Sequence, residues 1–150
     1  MTADTAQQRP DDIQAINNLV FSYAELFDLG DFDSAVGLFA HATVSVAGSD
    51  FQVRGPAVRS LLTDLVQLHD GIPSTKHLVT NVIVEIERDG FSASARSYYV
   101  ALQARPDLPL QPILAGRWHD KLEKIDGQWR FVDRVIYSDL MGDISHHIMH

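Results

Sequence analysis

A chain of 150 residues, 45% hydrophobic and 21% charged, has the length and composition of one compact domain and is too short for two full ones. Twenty Asp and Glu against twelve Lys and Arg leave a formal net charge of −8, so the average field repels polyanions and argues against nucleic acid or an anionic membrane as partner. The absence of cysteine excludes disulfides, thiolate nucleophiles and cysteine-ligated zinc or iron–sulfur sites, and no apolar run approaches the roughly 18–20 residues of a membrane span.

Residues 1–10 are polar, lack the basic start and apolar stretch of a signal peptide, and read as a flexible N-terminus, so a cytoplasmic protein is expected. Asp11 and Asp12 suit a helix start after Pro10, and Ile13, Ile16, Val20, Tyr23 and Phe27 then recur at helical spacing to mark a buried face. Leu29-Gly30 supplies a stop. Asp31 can cap a second short helix through Leu38 and Phe39, and Val44 and Val46 alternate like a strand. A short extended piece from Phe51 to Arg54 leads to Gly55-Pro56, and Val58, Leu61, Leu62, Leu65 and Leu68 predict a third helix ending near Asp70-Gly71.

From Ser74 the texture changes. Runs at about 75–87, 91–104, 112–125 and 128–138 are rich in Val, Ile, Tyr, Phe and Trp, and two breaks are Asp-Gly pairs, at Asp89-Gly90 and Asp126-Gly127. These predict long antiparallel strands, with Pro106, Pro109 and Pro112 interrupting the middle connection as an irregular loop. Helices early and strands late give an α+β domain over 11–138, followed by a C-terminal tail at 139–150. A curved antiparallel sheet packed against three N-terminal helices encloses a cone, and small-molecule sites favour such concave apolar places.

Asp28 sits at the end of the first helix, where a carboxylate opposes the helix dipole and calls for a cationic or donor partner, or for open solvent. His77 opens the first long strand, with period-two alternation putting Val79, Asn81 and Ile83 on the face of its imidazole. Alone, such a histidine is a satisfied core or rim residue. Held by Asp28 through one nitrogen, it would present a basic lone pair at the other and could take a proton from carbon or a hydroxyl group. Arg134 alternates with Val132 and Ile136, opposite in sense to Trp129, Phe131 and Asp133. It should meet a carboxylate, a substrate oxygen or a halide, or else form a surface salt bridge with Asp133 or Asp120. Tyr23, Tyr98 and Tyr99 can donate to a developing anion, and Trp118 and Trp129 read as core or pocket wall. His119 faces solvent with Arg117 and Lys121, His41 and His69 fall near helix ends, and the tail of His146, His147 and His150 reads as a docking or disordered end rather than a metal site.

The order "SYAELFDLGDFD", "RGPAVRSLL", "STKHLVTNV" and "AGRWHDKLEKIDGQWRFVDRVI", spanning about Asp11 to Ser138, resembles the SnoaL-like branch of the nuclear transport factor 2-like superfamily. The resemblance implies a cone-shaped α+β barrel of the cystatin-like roll type, commonly assembled as a homodimer or homotrimer. Within that branch the pattern is similar to scytalone dehydratase and hexachlorocyclohexane dehydrochlorinase, whose histidine–aspartate dyad matches His77 and Asp28. The dehydrochlorinase pattern has an arginine at the place of Arg134. The second histidine of scytalone dehydratase has no histidine counterpart in "ARSYYVAL", where Tyr98 or Tyr99 would serve instead.

The expected activity is a cofactor-independent lyase or isomerase, without metal, on a small hydrophobic molecule. His77 is the expected base, Asp28 its orienting partner and Arg134 the stabiliser of an oxyanion or leaving group, with Tyr23, Asn81, Tyr98, Tyr99 and Trp118 contacting substrate. Two alternatives carry the same resemblance: a noncatalytic ligand-binding or assembly module like the small subunit of ring-hydroxylating dioxygenases, and a SnoaL-type polyketide cyclase.

Overall fold

The computed structural model describes residues 3–149. Met1, Thr2 and His150 lie outside them, and with His150 goes part of the histidine group expected in the tail. Helix α1 (Ala3–Leu29) includes Pro10 and so starts before it, contrary to the expected flexible start at 1–10. The missing proline N–H costs one helical bond, and the turn around it is braced by Gln7 and Gln8, whose amides donate to Asp11 and Asp12 at 3.1 Å each. Asp12 is therefore not an N-terminal residue of the helix. It is buried and accepts from Lys124 Nζ and Trp129 Nε1, both at 2.9 Å, which pins α1 to the sheet. Burial would raise its carboxyl pKa, but these donors together hold it below the ordinary value.

α1 stops where Gly30, at φ +76°, returns its N–H to the Phe27 carbonyl at 3.0 Å. Asp31 then caps α2 (Phe32–Gly37) by accepting from the Ser34 N–H at 3.2 Å. Strands β1 (Thr43–Val46) and β2 (Gln52–Arg54) follow, then a 3-10 turn at Gly55–Val58 and a short α3 (Arg59–Thr63). The helix expected to reach Leu68 ends early because the next residues bond to the C-terminal tail instead: Gln67 N–H to the His147 carbonyl at 2.8 Å, and Met149 N–H to the Leu65 carbonyl at 2.7 Å. Leu65 and Leu68 are accordingly exposed.

Strands β3 (Thr75–Ile86), β4 (Ser92–Arg105), β5 (Leu108–Ile125) and β6 (Gln128–Met141) complete one open six-stranded sheet in the order β2-β1-β6-β5-β4-β3. The hairpins are antiparallel as expected, but β1 runs parallel to β6, so the sheet is mixed. The intervening chain, longer than any hairpin loop, lets β1 enter beside the last strand in the same sense. The proline segment is also a correction. Only Pro106 and Asp107 turn, and Pro109 and Pro112 lie within β5. Pro112 is tolerated because Ile113 bulges there, with Leu102 opposite Pro112 and Ala101 opposite Leu114.

Two further bulges change which side chains face inward. In β3, Asn81 and Val82 together oppose Ser97, and Asn81 adopts φ +53°. Beyond that point Val84 and Ile86 face the core, while Asn81 and Ile83 are exposed, so Asn81 does not share the face of His77. In β6, Val132 is the extra residue between the pairs Lys121–Asp133 and Leu122–Phe131. It brings Arg134 onto the same inner face as Trp129 and Phe131, where strict alternation predicted the opposite.

The core lies between α1 and the concave face of the sheet. Ile16, Val20, Tyr23 and Phe27 meet Phe39, Trp118, Leu122 and Phe131, and burial of each large side chain contributes roughly 1.5–3 kcal/mol. No described helix is long and apolar enough to cross a membrane.

Candidate active site

At the start of β3, near α3 and the tail, the core opens into a chamber of about 290 Å³, close to the lower end of the roughly 300–1,000 Å³ usual for small-molecule sites. Phe27, Leu62, Trp118 and Ile136 form much of its apolar wall, and Ile144 and Ile148 of the tail close one side. Its polar groups come from Tyr23, His77, Tyr99, Ser138 and His147.

The last turn of α1 delivers Asp28 against the start of β3. Asp28 Oδ1 lies 2.7 Å from His77 Nδ1 and accepts from Thr75 Oγ1 at 2.7 Å, while Oδ2 accepts the backbone N–H of His77 at 2.7 Å. These donors answer the unfavourable dipole at the helix end. Burial by itself would raise the Asp28 carboxyl pKa, but the hydrogen bonds and charge interaction with His77 and the Thr75 hydroxyl hold it below the ordinary value. Since the carboxylate can only accept, the proton of the neutral imidazole sits on Nδ1 and the lone pair is left on Nε2. Phe27 packs on the ring at 4.8 Å between centroids and Trp118 stacks at 6.4 Å, which fixes its plane. His77 also borders an outer groove of about 270 Å³ with Glu25, Asp28 and Lys76. The pair therefore forms a wall between chamber and groove.

Tyr23 lines the chamber, and its hydroxyl has no hydrogen bond to another described residue. Burial pushes its pKa up to about 12, so it remains a neutral donor. Tyr99 also lines the chamber, but its hydroxyl donates to the Tyr137 carbonyl at 2.9 Å. That bond depends on Gly116, where a Cβ would collide with the Tyr137 carbonyl and the Tyr99 hydroxyl. Tyr98 points to the opposite face of the sheet, is 52% exposed, and borders a surface hollow with Arg117 and Asp139. Of the expected substrate-contacting residues, Tyr23, Tyr99 and Trp118 reach the chamber. Asn81 and Tyr98 do not.

Arg134 meets a carboxylate, that of Asp120, but neither at the surface nor at the chamber wall. It is fully buried, with Nε and Nη2 donating to Asp120 at 2.7 and 2.8 Å. Its guanidinium lies 4.1 Å from the Trp118 ring and 4.9 Å from each of the Tyr23 and Phe131 rings. The paired carboxylate and aromatic faces offset the cost of burying this charge. Arg134 does not border the chamber and lies behind Trp118 and Tyr23, with Nη1 left without a partner among the described residues.

Sequence reasoning missed two contributors. Thr75 stands two residues before His77 on the same strand face, a spacing from which its share in holding Asp28 could have been read. His147 had no such signal. It is buried at the chamber through contacts between segments far apart in the chain, so of the docking and disordered ends expected for the tail the structure has the docked one. His146 instead pairs with Asp107 at 3.0 Å on the surface, His119 lies on the outer face beside Tyr137, and His69 meets the His146 carbonyl at 2.7 Å. Among the described residues no group of three His, Cys, Asp or Glu side chains is placed to hold a metal ion.

Residues 8–135 match the SnoaL-like domain family. No curated protein matches the sequence. Among solved structures, the chain is similar to a single-residue variant of Rv3472 from Mycobacterium tuberculosis, a protein of unknown function (25% identity over 93% of this chain and 79% of that one, TM-score 0.75). It is also similar to a candidate scytalone dehydratase from Novosphingobium aromaticivorans (23% identity, 92% and 91%, TM-score 0.74) and to LinA (17% identity, 91% and 92%, TM-score 0.72). At these identities the last two show a common fold.

Proposed function

Because this chain belongs to the SnoaL-like family, we propose that it is a cofactor-independent lyase or isomerase acting on a small hydrophobic organic molecule in the chamber. The observation that carries this reading is the Asp28–His77 contact of 2.7 Å beside a chamber toward which the imidazole is otherwise unspent. His77 Nε2 removes a proton from the substrate, and Asp28 orients the ring and stabilises the imidazolium. In an elimination, the electron pair released from the C–H bond forms the double bond as hydroxide or halide departs. In an isomerisation, the same proton returns to another carbon. Tyr23 donates a hydrogen bond to the developing anion or leaving group, and Trp118 and Phe27 form the apolar walls.

The size of the chamber favours a one- or two-ring molecule over the fused-ring substrate of a polyketide cyclase. Its unspent polar groups favour a ligand site over a noncatalytic assembly module. The candidate scytalone dehydratase among the structural neighbours supports this chemistry by analogy of fold alone. Assembly as a homodimer or homotrimer belongs to the same reading and is supported by the exposed Tyr98 and Leu140 on the outer face of the sheet.

The test is a screen of small cyclic alcohols and halides for release of water or halide, followed by His77→Gln and Asp28→Asn with the fold checked by circular dichroism. Each substitution should lower turnover by roughly 10²–10⁴-fold. Unchanged turnover in both variants refutes the mechanism.

A further inference from the structure

With the Asp28–His77 pair and Tyr23 assigned to the proposed mechanism, His147 is a polar group of the chamber that it does not use. His147 is only 4% exposed, and its Nδ1 is buried with no hydrogen-bond partner among the described residues. Buried polar atoms of this kind are rare because the lost bonds to water are not replaced, and the ring that carries this one borders the chamber.

The position of the ring is built by the fold. After β6 the tail is strapped over the chamber: the His147 N–H donates to the Ile144 carbonyl at 3.0 Å, and the Gln67 N–H to the His147 carbonyl at 2.8 Å. The Gln67 side chain donates to the Ser145 and Ile148 carbonyls at 2.7 Å each. The backbone on both sides of His147 is thereby held, and the imidazole lies 6.0 Å from the Phe27 ring, which also packs on His77 at 4.8 Å. Two imidazoles thus flank one phenylalanine in one chamber.

We propose that His147 is a second ligand-contacting residue of the chamber, and that the ligand is a neutral molecule carrying oxygen functions at two ends, one for His77 and Tyr23 and the other for His147. This rests on reading the chamber as the binding site. Neutrality follows from the lining: no Lys or Arg borders the chamber among the described residues, and Arg134, whose Nη1 has no partner, lies behind Tyr23 and Trp118 with its charge balanced by Asp120. An anion entering there would lose its water without gaining a cation. Independently, burial and the neighbouring His77 depress the His147 pKa to about 4, so the ring is uncharged at neutral pH and either donates or accepts through its tautomers.

The experiment uses the full chain and 4-hydroxyacetophenone, a neutral ring with oxygens at both ends, beside p-cymene, its apolar counterpart of similar shape. In crystals soaked with 4-hydroxyacetophenone, one oxygen should lie within hydrogen-bond distance of a His147 ring nitrogen. In titrations followed by calorimetry, His147→Phe should weaken 4-hydroxyacetophenone by roughly three- to tenfold, the scale of one hydrogen bond, and leave p-cymene unchanged. Occupancy of the chamber with both oxygens away from His147, or equal effects of the substitution on both molecules, overturns this inference and leaves the chamber reading standing. Failure of both molecules to enter the chamber overturns both.

Discussion

The carboxylate of Asp28 holds His77 at two places 2.7 Å away, the ring Nδ1 and the backbone N–H, and a third donor, Thr75 Oγ1, shares it at the same distance. Three donors on one buried carboxylate determine the orientation of the imidazole and leave its Nε2 without a partner among the described residues.

Thr75→Val removes one donor from Asp28 and should lower stability by about 1–2 kcal/mol, read by urea denaturation at pH 7. Because the folded-state pKa of Asp28 is depressed, its contribution is complete above the ordinary carboxylate range and is lost as pH falls through the folded value. A carboxyl NMR titration should therefore show Asp28 protonating at higher pH in the variant than in the parent. An unchanged midpoint would mean that the threonine contributes nothing to the pair.

Arg134→Met leaves Asp120 buried without its cation and should destabilise the fold by about 3–5 kcal/mol, whereas Arg134→Met combined with Asp120→Leu should recover most of the loss. Thermal unfolding of the two single variants and the double variant gives the coupling. Additive losses would place the arginine charge elsewhere than on Asp120.

Gly116→Ala forces a methyl group against the Tyr137 carbonyl and should cost about 1–3 kcal/mol while breaking the Tyr99–Tyr137 hydrogen bond. The check is denaturant unfolding together with the amide and ring resonances of Tyr99. Retention of both stability and those resonances would contradict the close packing at this point of β5.

His147 titrates near 4 in the folded chain against about 6.5 when unfolded, with His77, Asp28 and His69 as its charged and titratable neighbours. Between those values the unfolded chain binds a proton that the native chain does not. Stability should therefore fall as pH drops from about 6.5 to 4, by an amount on the order of 2–3 kcal/mol. His147→Phe should flatten this limb of the stability profile. A limb of equal slope in parent and variant would show that the ring is not held neutral.

Much of the architecture could be read from pattern alone. Apolar residues at helical spacing located α1, and the Asp-Gly pairs marked two of the hairpins. Asp126 and Gly127, at φ 51° and 77°, adopt the left-handed conformations that such a turn demands. The aspartate and histidine of the candidate site were each visible as an anomaly, a carboxylate at the wrong end of a helix and an imidazole on an apolar strand face. Their pairing came from resemblance, since residues 49 positions apart carry no local mark of contact.

Composition, period and turn chemistry are local quantities, and they were enough to specify an α+β chain with one sheet, a long first helix and an apolar interior. The direction of β1 beside β6, the outward turn of Asn81 and the inward turn of Arg134 came from pairing and from bulges. One inserted residue reverses the alternation of every side chain beyond it, and nothing in the residue types announces where that happens. The burial of His147 is of the same kind: its ring lies in the chamber because Leu65 and Gln67, remote along the chain, supply the backbone bonds that draw the tail inward.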